Sequence, residues 1–323
     1  METLDFLGID IAKKTFEAAL LRNDKLKHKK FLNNPDGFKQ LDAWLLKQSS
    51  IGIHACLEAT GSYSEALAIH LNQAGHIVSL VNPARIKAFG QAELQRNKTD
   101  RADATLIARF CSMHRPIAWV PPPTEIRELQ ALVRHLDDLI STRTQLTNRL
   151  SDGPKIESVL ESLRSLVKMV DSEIKLTRQK IREHIDGYPN LKEDCDLLET
   201  IPGIGERTAT ILLAEITHLR HYKHARQAVA YAGLSPRLED SGTSLKRSRL
   251  SKTGNSRVRK ALFMPAINAS RYNPLLRQFS ERLSRRGKSK MVIIGAVMRK
   301  LLHLAFGVLK TRRPFDANHS IPA

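Results

Sequence analysis

The chain has 323 residues, room for two domains or two with a helical insertion, and its 41% hydrophobic content excludes a disordered polymer. Fifty-two Lys and Arg against 33 Asp and Glu leave a formal charge of +19, the footprint of a polyanion partner. Cys56, Cys111 and Cys195 are scattered and form no CxxC, which argues against a disulfide framework and a zinc finger; METLDFLGID lacks the charged-then-apolar form expected of a signal peptide, and the late apolar run MVIIGAVM is too short to span a bilayer. The expectation is a cytoplasmic nucleic-acid protein with no membrane partner.

Elements alternate over the first 120 residues. LDFLGIDIA and TFEAALLR read as consecutive strands, with KHKKFLN as a third. NPDGFKQLDAWLLKQ reads as a helix with Phe38, Leu41, Leu45 and Leu46 on one face. GIHACLEAT is a short buried strand, SYSEALAIHLNQAG a helix closed by Gly75, and HIVSLVNP another strand. A helix opens near Thr99 and ends before RPIAWVPPP. This order predicts a mixed sheet with helices on its faces.

Pro121–Pro123 marks a boundary. Beyond it, apolar residues recur at 126, 129, 132, 136 and 139, then, after SDGPK, at 156, 159, 163, 166 and 170. Two long helices joined by a Gly-Pro turn fit a coiled-coil hairpin or an ordinary pair of bundle helices. From residue 189 the chain reads as helical with basic loops; residues 246–260 carry seven Lys or Arg and no acid. The expected division is 1–120, 121–188 and 189–323.

Asp10 and Glu58 each follow apolar strand residues, a costly place for a lone carboxylate. Asp100 and Asp103, in NKTDRADATLIARF, lie one helical turn apart. That pair alone reads as first-turn acids suited to the helix dipole, with Thr99 or Asp100 as N-cap. All four together could gather at one sheet edge, where a hard, oxygen-preferring cation such as Mg²⁺ would offset their charge. In LLETIPGIGERTATILLAEI, Gly203 and Gly205 permit a tight turn whose second helix could turn free N–H groups to a phosphate, as in a helix-hairpin-helix; a packed helical hairpin is the plainer alternative. In LEDSGTSLKRSRLSKTGN, a serine beside a glycine and many cations could attack phosphorus, although loop serines are common and the residues alone leave that role second. Lys246, Arg247, Arg249, Lys252, Arg257 and Arg259 suit phosphate binding. His218, His221 and His224 are spaced three apart among Arg and Lys, which fits a solvated basic face better than a metal site.

GIDIAKKTF, CLEATGSY and NKTDRADATLIARF resemble the N-terminal domain of the insertion sequence 110 family of DEDD transposases, and IPGIGERTA, YAGLSPRLEDSGTSLKRSRLSKTGN and RKALFMPA continue the likeness. The resemblance implies a RuvC-like, ribonuclease H-class catalytic domain, a coiled-coil insertion and a mainly helical transposase domain. It implies that Asp10, Glu58, Asp100 and Asp103 hold Mg²⁺ and that Ser241 is the nucleophile, with Ser244 its rival in the same loop. It further implies strand exchange between donor and target DNA through a covalent phosphoserine, guidance by a noncoding bridge RNA, and a homo-oligomer: a dimer, and a tetramer in the synaptic complex. Two rivals remain: a resolvase or nuclease that uses water and needs only the acids, and an architectural nucleic-acid-binding protein that needs neither acids nor serine.

Overall fold

The computed structural model describes residues 4–48, 52–59, 62–94, 99–153, 156–217, 219, 222–241 and 244–317. It divides into two compact units, Met1–Pro121 and Pro122–Ala323. The chain is mixed α/β and mostly helical.

In the first unit, β1 (Asp5–Ile11), β2 (Thr15–Arg22), β3 (Lys25–Leu32), β4 (Ile53–Glu58) and β5 (Ile77–Val81) form one sheet in the order β3-β2-β1-β4-β5. β1, β2 and β3 pair antiparallel, whereas β1–β4 and β4–β5 are parallel. Alternation along β1 sorts its side chains. Leu7, Ile9 and Ile11 join Ala55 and Leu57 of β4 beneath α1 (Pro35–Lys47) and α2 (Ser62–Gln73). Phe6 and Cys56 face the other way, against α4 (Asp100–His114) and α3 (Pro83–Ala92). The sheet is therefore covered on both faces.

α1 begins where expected, with Asn34 accepting from the Gly37 N–H at 2.9 Å as its N-cap. Its apolar face differs from the expectation: Leu46 is 75% exposed and Trp44 takes the fourth core position beside Phe38, Leu41 and Leu45. Residues i, i+3, i+6 and i+7 from Phe38 define the stripe, and Leu46 lies off it. α3 was not anticipated, because ARIKAFGQAE has only two buried side-packing positions, Ile86 and Gly90.

The buried acid of β1 is Asp5. Its two oxygens accept from Arg22 of β2, with Nε at 2.9 Å from each, and Arg22 also donates to the Gln48 carbonyl at 2.6 Å. The hydrogen bond to Asp5 raises the Arg22 pKa above its ordinary value. This pair ties the sheet's lower end, far along the strand from Asp10.

In the second unit, α5 (Thr124–Asp152) and α6 (Glu157–Gly187) form an antiparallel hairpin. Leu129, Val133 and Leu136 of α5 and Ile174, Ile181 and Ile185 of α6 join one core with the following helices. Towards the turn the predicted stripe opens: Ile156 and Leu166 are exposed, and only Leu163 is buried there. α7 (Pro189–Glu199), α8 (Glu206–Glu215), α9 (Ala225–Tyr231), the hairpin β6 (Pro236–Ser241) and β7 (Ser244–Leu250), then α10 (Ser256–Tyr272), α11 (Pro274–Arg285) and α12 (Lys290–Thr311) complete the unit. MVIIGAVM is only the start of α12, which is 22 residues long. Among the described residues α12 is the one helix long and apolar enough to cross a membrane by length and composition, and ten of its residues are buried in the unit's core. Packing against α7, α9, α10 and α11 accounts for those buried residues.

Candidate active site and nucleic-acid interface

Register brings the first acids together. β1 and β4 run parallel with Ile9 opposite Leu57, so Asp10 and Glu58 follow at one level on neighbouring strands, about 4.8 Å apart in backbone. Both are half-buried and lie on the face covered by α4. On the other side of β1, Asp10 is directly opposite Glu17 of β2, which in turn is opposite Lys30 of β3. A single row therefore reads Lys30, Glu17, Asp10, Glu58 across four strands.

α4 delivers the remaining acids. Ala104, Ile107, Ala108 and Cys111 form its sheet-facing stripe, and Asp100 and Asp103 continue that stripe towards the N-terminus. A Cβ added to Gly8 would sit 2.2 Å from the Ala104 carbonyl oxygen and 2.2 Å from the Ala108 nitrogen, so the helix rests directly on β1 at this point. Further down, the Cys111 thiol donates to the His54 carbonyl at 3.5 Å, and His54 is level with Phe6. α4 thus runs antiparallel to β1, with its N-terminus over the strands' carboxyl ends. From the Gly8 contact, Asp103 lies about 4.5 Å and Asp100 about 9 Å along the helix, while Asp10 lies about 6.6 Å along the strand. All four acids share one end of one sheet face.

They are not drawn into a cage. Among the described residues, no three or more His, Cys, Asp or Glu side chains stand close enough to hold a metal ion. Asp100 is exposed and accepts from Lys30 Nζ at 3.2 Å. Nor is it the N-cap. Thr99 has that role, its Oγ1 accepting from the Ala102 N–H at 3.2 Å.

The sequence reading missed Glu17 and Lys30. The signal was available: a two-residue turn at Lys13–Lys14, closed by the Ala12 N–H donating to the Thr15 carbonyl at 2.9 Å, sets Asp10 against Glu17.

In the second unit Ser241 ends β6 and is opposite Ser244, the first residue of β7. Both stand on strand backbone at the tip of a hairpin rather than in an open loop, and the pairing is irregular between Glu239 and Ser241. Lys246 and Arg247 lie on β7. Arg249 and Lys252 are exposed, Lys252 with φ +54° and its N–H donating to the Gly233 carbonyl at 3.1 Å. Arg257 is exposed in the first turn of α10, where Asn255 caps its N–H. Arg259 differs. Its Nη1 donates to the Ala232 and Gly254 carbonyls at 2.9 and 3.0 Å, which commits much of its guanidinium to the fold.

A buried polar cluster that the sequence did not disclose joins α5, α8, α9 and the start of α10. Glu215 of α8 is 1% exposed and accepts from Arg134 Nε of α5 at 2.9 Å and from Asn255 Nδ2 at 2.8 Å. The Tyr231 hydroxyl donates to the Glu215 carbonyl at 2.9 Å. Burial of a carboxylate is tolerated here because both oxygens are met.

Gly203, with φ +106°, turns the chain between α7 and α8, and a Cβ there would lie 2.7 Å from the Ala269 Cβ. Gly205 is the N-cap of α8 and has open space around it. Glu206 follows at once, bonded to Arg182 at 2.6 Å, and that guanidinium lowers its pKa. The first turn of α8 thus carries a carboxylate, and its Thr208 N–H already donates to the Gly205 carbonyl at 2.8 Å. His224 caps α9, while His218 and His221 lie outside the described residues. All three cysteines are buried, and burial pushes the Cys195 thiol up to about 12.

Residues 7–152 match the family model of the DEDD transposases of insertion sequence IS110, and residues 195–281 match the transposase model of the IS116/IS110/IS902 family. Over 320 residues the chain is 36% identical to a pilin gene-inverting protein of Moraxella bovis, covering 96% of this chain and 97% of that one. The chain belongs to the IS110 family of transposases. A second relative, the transposase for insertion element IS1111A of Coxiella burnetii, is 24% identical over 301 residues, 81% of this chain and 77% of that protein. As an IS110-family member the chain is a DNA transposase or recombinase, and the four acids fall within the region matched by the DEDD model.

Proposed function

We propose that this transposase cuts and exchanges DNA strands using Mg²⁺-binding carboxylates and a serine nucleophile. The observation that carries the reading is the register of Asp10 beside Glu58 with Asp100 and Asp103 delivered above them by α4. The donor set is all carboxylate oxygen, which suits a hard cation. Asp10, Glu58 and Asp103 would hold Mg²⁺, joined by Asp100 once it parts from Lys30. Bound there, the cation supplies Lewis acidity to a phosphodiester.

Ser241 is the proposed nucleophile. Its hydroxyl oxygen bonds to phosphorus, the bond to the 3′ oxygen breaks, and the serine proton ends on the released 3′ hydroxyl. The 5′ phosphate is then held as a phosphoserine ester until a second strand's 3′ hydroxyl reverses the step. Lys252 and Arg257 bind backbone phosphates, with Lys246, Arg247 and Arg249 of β7 adding charge. The wider reading takes residues 1–120 as a RuvC-like domain, supported by the strand order β3-β2-β1-β4-β5, 121–188 as a coiled-coil hairpin, and 189–323 as a transposase domain with a helix-hairpin-helix at Gly203 and Gly205. Donor and target DNA, an element-encoded bridge RNA and a homo-oligomer complete it. Because relatives at 36% identity are named for inverting a pilin gene, DNA inversion is the specific outcome that assay should include.

The test is cleavage of labelled DNA with Mg²⁺ and RNA copurified with the protein. Wild type forms a protease-resistant adduct that maps to Ser241; Ser241→Ala and Asp10→Asn bind nucleic acid but form none. An adduct at Ser244, or cleavage by Ser241→Ala through water, overturns the serine mechanism.

A further inference from the structure

Between α8, α10 and α12, within the second unit, lies a cavity of about 600 Å³. Its floor is apolar: Ile211, Leu250, Phe263 and Met298 line it, and the absence of a side chain at Gly295 admits Leu250, whose Cδ1 lies 3.1 Å from where a Cβ would stand. Two methionines line it from different helices, Met264 of α10 and Met291 of α12. They are 59% and 65% exposed, unusual for side chains with a core available nearby. Three of the chain's six methionines line this one cavity.

The lining also carries charge of one sign. Arg207, Arg257, Arg259 and Lys260 line the cavity against a single carboxylate, Asp137, which Arg207 approaches to 3.4 Å. An apolar floor with a cationic rim does not match a purely apolar partner helix, nor a second copy of a chain that is itself strongly basic. It also does not match an intact duplex, whose bases are inside the stack. It matches a nucleotide that has left the stack: methionine sulfur and the Phe263 ring meet the base, and Arg257 and Lys260 meet its flanking phosphates. The volume is in the range of sites that enclose small organic ligands.

We propose that this cavity holds one unstacked nucleotide of the bound nucleic acid, with Met264 and Met291 gripping its base. This rests on the nucleic-acid reading above, and the test separates the two. Three hairpins, each made as RNA and as DNA, differ only at one site: a bulged adenine, an abasic bulge, or full pairing. Wild type binds the bulged adenine about tenfold more tightly than the abasic form, the size expected of one stacked base. Met264→Ala with Met291→Ala removes that preference while the fully paired hairpin binds as before, with the same salt slope. Met264→Ala alone gives a partial loss, and its exposed position protects the fold. Whether RNA or DNA carries the preference names the source of the nucleotide. No preference in wild type, or a preference kept by the double variant, overturns the proposal. If the double variant instead changes only the oligomeric state by light scattering, a second copy fills the cavity and the proposal falls. Failure of wild type to bind even the paired hairpin would overturn the nucleic-acid reading itself.

Discussion

Lys30 and Asp100, 70 positions apart in the chain, meet at 3.2 Å across the end of the first unit's sheet. The contact occupies the outermost carboxylate of the acidic stripe with an amine. Both side chains are more than half exposed, so the pair contributes about 0–1 kcal/mol to stability. On the proposed Mg²⁺ reading its consequence is for cation affinity. Lys30→Ala leaves the melting temperature in chelator unchanged within a degree or two and lowers the Mg²⁺ concentration that half-saturates the thermal shift by a few-fold. A half-saturation that rises instead would mean that Lys30 helps assemble the site.

Glu17 opposite Asp10 is a cross-strand pair of acids, an arrangement that costs roughly 0.2–1 kcal/mol where no cation intervenes. Glu17→Gln therefore raises stability in chelator and shrinks the extra stabilisation that Mg²⁺ confers. Calorimetry with and without Mg²⁺ reads both effects. Equal shifts under the two conditions would remove Glu17 from the cation's neighbourhood.

Arg257 and Arg259 are two positions apart yet should behave differently. Arg257→Ala reduces the salt slope of nucleic-acid binding by about 1 and leaves unfolding unchanged, as for a phosphate contact. Arg259→Ala destabilises the protein by about 1–3 kcal/mol, because the Ala232 and Gly254 carbonyls lose their donor. Denaturant melts and salt titrations on both variants check the contrast.

His54 sets a pH dependence in the first unit. Burial, helped by Arg115, lowers its pKa below the ordinary 6.5, and its Nε2 lies 2.8 Å from the Ser79 hydroxyl. The unfolded chain binds the proton first as pH falls, so the stabilisation is complete above about pH 6.5 and is lost from there down towards the depressed folded value. His28, His76 and His303 are lowered in the same sense by burial. The melting temperature should fall between pH 7 and 5, and His54→Asn should make that fall shallower. An unchanged slope would assign the acid sensitivity to the other three.

The strands holding GIDIA and ACLEA were legible as short apolar runs, and Asp10 and Glu58 stand next to or at their ends. The α4 acids were legible for a similar reason, since Asp100 and Asp103 extend the apolar stripe of Ala104, Ile107 and Cys111. What depended on partners far along the chain was not. Leu46 and Trp44 are both apolar, and it is Trp44 that packs inward, against Phe31 of β3. The Glu215, Arg134 and Asn255 cluster joins residues as many as 121 positions apart, with no local pattern to announce it. Ser241 and Ser244 could not be separated because hairpin pairing makes them direct partners.

Gly8 has no functional group, yet it sets how far α4 stands from β1. One methyl at that position would have to displace backbone, and the displacement would pass up a rigid helix to Asp103 and Asp100. Substituting this residue, which has no reactive atom, would detune the proposed cation site while every acid stays in the sequence. A search for inactivating mutations confined to the proposed catalytic residues would overlook the position that sets the spacing between α4 and β1.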